Sequence, residues 1–261
     1  MRLIYLGSGE FGLPTLDALS QRHQTSAGVP QPDRPAGRKR RLTATPLVKW
    51  LAERHGGATG AASGEGTIRL LKPEDANADD VVAELAALKA DAAVVIAFGQ
   101  KLSPALIDAL GGLTVNLHAS LLPRWRGAAP INRAIIEGDR ETGVTVISLA
   151  QRMDAGLIYA RAATPIDPME TAGELHDRLA QLGPDTVLDV LDRYKAGTLE
   201  GEPQDDAHAT RAPKLSKADG VVDFTQPAEV VQRRIHGLTP WPGVTVTWRR
   251  ASDGHEQPLL L

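Results

Sequence analysis

The stretch MRLIYLGSGEFG (residues 1–12) places a short apolar run directly before three glycines. LIYL at 3–6 contains no turn-forming residue, which is typical of a buried strand. The glycines have the spacing G-x-G-x-x-G, and LPTLDALS at 13–20 follows with leucines at helical spacing behind Pro14. A strand, a glycine turn and a helix in this order predict the opening unit of a doubly wound α/β domain.

The same alternation of strands and helices continues to about residue 197. The segment 23–42 predicts a loop, because it contains several prolines and glycines before its basic run. A second strand would be expected at 25–31, but this stretch is weakly apolar and contains Pro30. The alternation of strands and helices predicts a mostly parallel, Rossmann-like sheet. Further strands are predicted at 67–71, 91–99, 112–120 and 143–151, and helices at 43–56 (Thr45 as N-cap), 79–90, 103–110 and 173–197, the last broken at Pro184.

The character of the sequence changes after residue 199. The polar stretch 200–212 predicts a linker, and beyond it VVDFTQ and VTVTW flank the helix-like PAEVVQRRIHGL. The predicted organisation is an α/β domain over 1–199, a linker over 200–212 and a partial β-rich module over 213–261. GGATGAASGEG at 56–66 predicts a flexible insert within the first domain.

Composition narrows the classes of function. The 261 residues carry a formal net charge of −3, so any nucleic-acid binding requires a local basic patch. The chain has no cysteine, which excludes disulfides, thiolate catalysis and cysteine-ligated zinc. The amino-terminal residues lack the apolar stretch of a signal peptide, and no segment has the apolar length of a membrane span. We expect a cytoplasmic protein that does not engage a membrane.

Two polar residues share one face of the strand predicted at 112–120. Side chains alternate along a strand, so Asn116 and His118 point one way while Val115 and Leu117 point the other. The pair stands at the carboxyl end of the strand, where open α/β sheets bind ligands, and SLLPRWRG follows directly. Either residue alone is typical of a satisfied core position, but the pair in this context predicts a site.

The pattern N-x-H-x-S-L-L-P, followed by an Asp, resembles that of formyltransferases that use 10-formyltetrahydrofolate. The matching carboxylate is Asp154 in QRMDAGLIY, 38 residues after Asn116. The resemblance implies that Asn116 donates an N–H to the formyl oxygen, that His118 shuttles a proton or stabilises charge, and that Asp154 orients the imidazole. Leu157 stands where the family usually has a second acidic residue.

The resemblance also implies a folate pocket and chemistry without a metal. IAFGQKLSP at 96–104 is expected to line that pocket, largely through backbone groups, and the loop after the strand is expected to complete it. The donor, 10-formyltetrahydrofolate, is the only cosubstrate expected. The predicted folate-binding residues are Phe98, Gly99, Gln100, Ser120, Leu121, Leu122 and Pro123.

Two segments are similar to the branch of the family that acts on methionyl-initiator-tRNA. They are QPDRPAGR at 31–38 and the stretch from 210 to 243, whose module resembles a barrel of the oligonucleotide-binding type. RPAGRKRR at 34–41 carries five positive charges in eight residues, suited to tRNA phosphates, although such a run is also typical of a solvated surface. A monomer is expected. The predicted tRNA-binding residues are Arg34, Arg38, Lys39, Arg40, Arg41, Lys214 and Lys217.

Three alternatives remain open at this point. A sugar-nucleotide N-formyltransferase would use the same Asn–His–Asp set. An NAD(P)-dependent oxidoreductase needs an acidic residue about 20 positions beyond the glycines, and Asp33 stands near that distance, next to Arg34. A non-catalytic RNA-binding protein would keep the basic run and lose the polar triad, which is present here.

Overall fold

The structure of the protein, a computed structural model, describes residues 1–36, 41–54 and 68–261. The strands are β1 (Arg2–Gly7), β2 (Gln24–Val29), β3 (Arg34–Ala36), β4 (Arg41–Thr43), β5 (Arg69–Leu70), β6 (Ala92–Ile96), β7 (Leu113–His118), β8 (Arg126–Gly127), β9 (Glu141–Ser148), β10 (Ile158–Pro165), β11 (Arg211–Ala212), β12 (Thr245–Arg249) and β13 (Glu256–Leu260). The α-helices are α1 (Leu13–Arg22), α2 (Pro46–Arg54), α3 (Asp79–Ala87), α4 (Pro104–Ala109), α5 (Pro130–Glu137), α6 (Ala172–Ala180), α7 (Gly183–Lys195) and α8 (Ala228–Gly237).

Seven strands form the central sheet, in the order β5-β2-β1-β6-β7-β9-β10. The pairs among β5, β2, β1, β6 and β7 are parallel, whereas β9 is antiparallel to both β7 and β10. The chain builds outward from β1 through β2 and β5, then returns to the other side of β1 as β6. This reversal leaves a crevice at the carboxyl ends of β1 and β6, the position at which open α/β sheets bind ligands. The doubly wound α/β prediction is confirmed.

Both faces of the sheet are buried, which explains the near-continuous apolar runs of its central strands. Leu3 and Tyr5 of β1 face the layer that contains α1, α6 and α7, while Ile4 and Leu6 face the layer that contains α3 and α4. In β7, Val115 and Leu117 join the first of these layers. Asn116 is therefore on the opposite face, as the alternation predicted.

The glycines after β1 differ in what surrounds them. A Cβ on Gly7 would lie 2.6 Å from the carbonyl oxygen of Ile96, and one on Gly12 would collide with the buried hydroxyl of Tyr5. A Cβ on Gly9 would meet only the Ala97 methyl, at 3.8 Å. The motif thus serves close packing of β1, β6 and the start of α1, with two of its three glycines sterically required.

The loop predicted over 23–42 is wrong, because this segment contains three strands. β2 pairs with β1 and β5, and the ladder partners on both sides compensate for its weak apolar character. Pro30 lies just beyond its last residue, so no ladder hydrogen bond is lost. β3 and β4 form an antiparallel hairpin. Residues 37–40 and the predicted insert at 56–66 lie outside the described residues.

The predicted start and stop signals of the helices can be compared with the structure at Ser103, Pro184 and Thr45. The Ser103 hydroxyl accepts from the Leu106 amide at 3.1 Å and caps α4, and Pro184 stands in the first turn of α7 after a break from α6. α2 begins at Pro46 as expected, yet the Thr45 hydroxyl is buried without a partner in the described part of the chain. α5 and β10 were not predicted. No helix within the described ranges is long and apolar enough to cross a membrane.

The C-terminal module packs against the α/β domain through α8, which lies on α5. Leu215, Leu238 and Val244 form a small buried cluster with Ala129 from the loop before α5, and the Asn132 side chain donates to the Gly237 carbonyl at 2.7 Å. β12 and β13 form an antiparallel hairpin, in line with a β-rich module. The strand expected in VVDFTQ at 221–226 is absent, because the side chain of Asp223 caps a turn there.

Candidate active site

His118 is the last residue of β7, and its buried ring is held from both sides. The Nε2–H donates to the carbonyl oxygen of Trp125 at 2.8 Å, since a carbonyl can only accept. Nδ1 lies 3.7 Å from a carboxylate oxygen of Asp154. The side chains of His118 and Asp154 are 7% and 16% exposed, so the pair lies in a protected environment of low dielectric. The hydrogen bond that orients the ring thus comes from Trp125, a residue that sequence reasoning missed.

Asn116 lies two residues before His118 on the same face of β7. Its neighbours across the sheet are Val95 of β6 and Ile147 of β9, both apolar. The side chain is half-buried, and its amide has no hydrogen-bond partner within residues 1–36, 41–54 and 68–261. A free amide on an apolar surface is available to a ligand, because bonding it there satisfies an otherwise poorly solvated group.

Asp154 reaches the site from the loop between β9 and β10. Its backbone has φ +53°, the left-handed conformation that Asp and Asn adopt more readily than other side chains. The carboxylate oxygen nearest His118 also accepts from the Gly127 amide at 2.8 Å. Backbone geometry and this hydrogen bond together direct the carboxylate at the ring.

The loop after β7 is shaped by hydrogen bonds to other elements. Thr145 of β9, fully buried, donates to the Ser120 carbonyl at 2.6 Å and accepts from the Leu122 amide at 3.1 Å. The Trp125 amide donates to the Thr210 hydroxyl at 2.8 Å, although Thr210 is 85 residues away in the chain. These contacts hold the Trp125 carbonyl against His118. No signal in the sequence identified Thr145 or Thr210.

The predicted folate-binding residues lie in two loops, one after β6 and one after β7, and differ in how available they are to a ligand. Phe98 is buried and its carbonyl lies 3.5 Å from the Ser8 hydroxyl, while the Gln100 side chain is bonded to the Ala76 amide at 2.8 Å. Ser120 and Leu122 are buried in the loop, whereas Leu121 and Pro123 are half-buried. The side chain of Gln100 is thus engaged within the protein, and folate binding by these residues remains a prediction.

One further observation fits a polar ligand in the crevice at the carboxyl ends of β1 and β6. Gly99, in the left-handed region with φ +85°, packs beside Gln31, and a Cβ there would lie 3.8 Å from the Gln31 amide. The Nε2 of Gln31 is buried and has no partner in the described part of the chain. A buried donor left unpaired costs about 1–3 kcal/mol, which a ligand acceptor would offset.

The basic residues lie at exposed positions on two separate elements. Arg34 and Arg41 stand on the β3–β4 hairpin, whereas Lys214 and Lys217 follow β11. None of these four has a carboxylate partner among the described residues, so their charges are free for a polyanion. Arg38, Lys39 and Arg40 lie outside the described residues.

The acidic residue required by a dehydrogenase is otherwise engaged. Asp33 accepts from the Lys72 ammonium at 2.9 Å, which ties the base of the β3–β4 hairpin to the segment after β5. A carboxylate that holds a ribose must instead face the ligand. Among the described residues, no group of three His, Asp or Glu side chains is arranged to hold a metal ion, and metal-free chemistry remains a prediction.

Comparison with protein families gives two matches that together span most of the chain. The family described as "Formyl transferase" matches residues 1–191, and "Formyl transferase, C-terminal domain" matches residues 214–256.

Individual relatives point in the same direction. A methionyl-tRNA formyltransferase of Pseudomonas paraeruginosa is 44% identical over 98% of this chain and 81% of its own length. One from Geotalea uraniireducens is 43% identical over 93% of this chain and 74% of its own. A solved sugar N-formyltransferase from Shewanella superposes with a TM-score of 0.69 at 14% identity, over all of this chain and 97% of that one. At that identity the last similarity supports the fold alone.

Proposed function

The chain belongs to the formyl transferase family, and from that premise we propose that it formylates the α-amino group of methionyl-initiator-tRNA with 10-formyltetrahydrofolate as the donor. The observation that carries the chemistry is the convergence of Asn116, His118 and Asp154 at the end of β7. The choice of acceptor rests on relatives at 42–44% identity over more than nine tenths of the chain.

Asn116 is suited to stabilise charge on the formyl oxygen. Attack by the amine on the formyl carbon of the donor places negative charge on the formyl oxygen. Collapse of this intermediate breaks the bond between the formyl carbon and N10 of the donor, and N10 takes up a proton as tetrahydrofolate leaves. The Asn116 amide is fixed on a strand and has no competing partner in the described ranges, so it is preorganised to donate there. Removal of one such donor typically costs about 10²–10³ in rate.

His118 is suited to accept the proton that the amine must lose. With Nε2–H committed to the Trp125 carbonyl, Nδ1 is the nitrogen that exchanges a proton, and it faces Asp154. The carboxylate stabilises the cationic ring that results. A proton-transfer group of this kind contributes about 10²–10⁴ in rate.

The exposed basic residues are proposed to hold the tRNA. Arg34 and Arg41 on the hairpin and Lys214 and Lys217 beyond β11 carry charges without carboxylate partners in the described ranges. Each phosphate that such a residue neutralises lowers the slope of log K against log[salt] by about 0.9 on a duplex. In the proposed organisation, residues 1–199 catalyse, 200–212 connect, and 213–261 contribute to tRNA binding. The protein is further proposed to act as a cytoplasmic monomer.

The decisive experiment is a formylation assay with charged initiator tRNA and 10-formyltetrahydrofolate. We expect formyl-methionine to form with the wild type and to fall at least about 100-fold with His118→Ala. The matched control is His23→Ala, since His23 lies at the end of α1, at the amino edge of the sheet and opposite the site. Activity on a sugar nucleotide but not on tRNA would show that the protein is a sugar-nucleotide N-formyltransferase instead. A folded wild type that is inactive on both substrates would overturn the proposal.

A double substitution tests the tRNA surface separately. Arg34→Ala with Arg41→Ala is expected to weaken binding of initiator tRNA and to flatten its salt dependence, while kcat at saturating tRNA stays unchanged. Lys195→Ala is the control for a loss of positive charge elsewhere, since Lys195 is exposed at the end of α7 and has no carboxylate partner in the described ranges. If the slope of log K against log[salt] is unchanged in the double variant, Arg34 and Arg41 do not contact tRNA phosphates.

A further inference from the structure

Gln204 lies in the predicted linker over 200–212. Both the nitrogen and the oxygen of its side-chain amide form hydrogen bonds, and these connect the loop that carries Asp154 to the loop that carries Arg126. Its Nε2 donates to the carbonyl oxygens of Asp154 and Gly156, both at 2.8 Å. Its Oε1 accepts from Nε and Nη2 of Arg126, at 3.0 and 2.7 Å. One amide therefore makes four hydrogen bonds, and all of them are to residues within two positions of a group that contacts His118.

Arg126 extends this bridge into a chain of polar contacts. The guanidinium is 9% exposed and its remaining partner is Asp206, at 2.8 Å. Asp206 also pairs with Arg152, and the hydrogen bonds from Arg152 and Arg126 hold the pKa of the Asp206 carboxyl below its usual value. Since Arg126 directly follows Trp125, the same cluster anchors both the carbonyl that orients His118 and the loop that carries Asp154.

The contacts at this position match both functions of a glutamine side chain. The two carbonyls require a donor and the guanidinium requires an acceptor, on one group of fixed length. Glutamate would keep the acceptor and place a second oxygen against the Asp154 and Gly156 carbonyls. Methionine has a similar length and offers neither function well.

We propose that Gln204 is a positioning residue for formyl transfer, which fixes the Asp154 carboxylate relative to His118 through the backbone of Asp154. This inference rests on the proposed function. The loop at Asp154 adopts a left-handed conformation that needs support from its surroundings, and Gln204 bonds directly to that residue's carbonyl. Gln204 therefore supports catalysis in the first module although it lies in the segment between the two modules.

The test compares Gln204→Glu and Gln204→Met with the wild type in steady-state formylation. We expect kcat to fall by about 10–100-fold, because a misplacement near 1 Å costs up to about 10² in rate. KM for the folate and for tRNA is expected to stay within about twofold. Glu202→Gln is the matched control, since Glu202 belongs to the same segment and pairs with Arg161 at an exposed site.

A double-mutant cycle separates positioning from general destabilisation. In an Asp154→Asn background, single-turnover rates measured with enzyme in excess should be nearly unchanged by Gln204→Glu, since the carboxylate that Gln204 positions is gone. A loss of the same size in both backgrounds, or a rise in KM with kcat unchanged, would overturn the inference. Wild-type kcat in both Gln204 variants would overturn it as well. An inactive wild type would instead count against the proposed function.

Discussion

The glycine turn after β1 allows a sharp test of why the motif is present. In Gly12→Ala the new methyl would collide with the Tyr5 hydroxyl and lie 3.1 Å from the Ile96 Cβ. Tyr5 is 1% exposed and cannot turn away, so the collision acts as overpacking and costs about 1–3 kcal/mol of unfolding free energy. Gly9→Ala introduces a contact of only 3.8 Å at φ −85°, which any residue adopts. Its effect should lie within about 0.5 kcal/mol.

Tyr5→Phe identifies the colliding atom. The Tyr5 hydroxyl is buried without a partner in the described residues, and burial raises the pKa of this phenol well above its usual value. Its removal should leave stability unchanged or raise it, because an unpaired buried group is lost. In Tyr5→Phe, the cost of Gly12→Ala should shrink by about 1–2 kcal/mol, a range typical of side chains in contact.

The measurement is guanidinium unfolding followed by circular dichroism, with thermal unfolding as a second readout. For a chain of this size, 1 kcal/mol corresponds to about 2–4 °C in Tm. Equal stability of Gly12→Ala and Gly9→Ala would refute the packing argument. Additive effects of Tyr5→Phe and Gly12→Ala would show that the hydroxyl is not the atom in collision.

Further predictions concern the residues around the site. Asp154→Asn should keep the fold and lower kcat by about 10²–10⁴. Asp154→Ala should in addition lower the free energy of unfolding by about 1–2 kcal/mol, because alanine tolerates φ +53° less well than Asp or Asn. Equal unfolding midpoints for the Asn and Ala variants would contradict this. Thr145→Val should lower the free energy of unfolding by about 1–3 kcal/mol and lower kcat, because it removes the hydrogen bonds to Ser120 and Leu122. Thr145→Ser should retain wild-type stability and kcat. Wild-type stability and kcat in Thr145→Val would show that these hydrogen bonds do not hold the loop. The pKa of Asp206 is held low by Arg152 and Arg126, so its ion pairs stabilise the fold above about pH 4 and are lost as pH falls. Asp206→Asn should therefore lower stability more at pH 7 than at acid pH, with the difference from the wild type shrinking as the pH falls below about 4. A loss of stability that does not depend on pH would contradict this prediction.

For the candidate site, sequence reasoning identified side chains that the structure brings together, but it did not identify the groups that hold them in place. Asn116 and His118 were found because strand alternation and the position at a strand end are encoded in residue type. The carbonyl of Trp125 carries no such signal, since every residue has one and only the fold selects which is used. Thr145 and Gln204 were missed for a related reason, because their partners lie 23 or more residues away in the chain.

The errors in secondary structure have the same origin. β2 is weakly apolar on its own, and its place in the sheet depends on hydrogen bonds from β1 and β5 on either side. VVDFTQ has the composition of a strand, yet no strand among the described residues pairs with it and Asp223 bonds locally to Thr225. Local patterns identify what a segment is able to form, and long-range pairing decides whether it does.

The pairing of β11 with β8 sets where this protein can be divided. A cut before residue 204 separates both Gln204 and Thr210 from the loops that they hold, and a cut between 204 and 210 separates Thr210 alone. A cut within 211–212 divides β11, which pairs with β8. A chimaera that exchanges the C-terminal module should therefore retain residues 200–212 from the parent that supplies the first 199 residues. Residues up to Ala212 should therefore come from the same parent as the catalytic residues, and the crossover point should lie beyond Ala212.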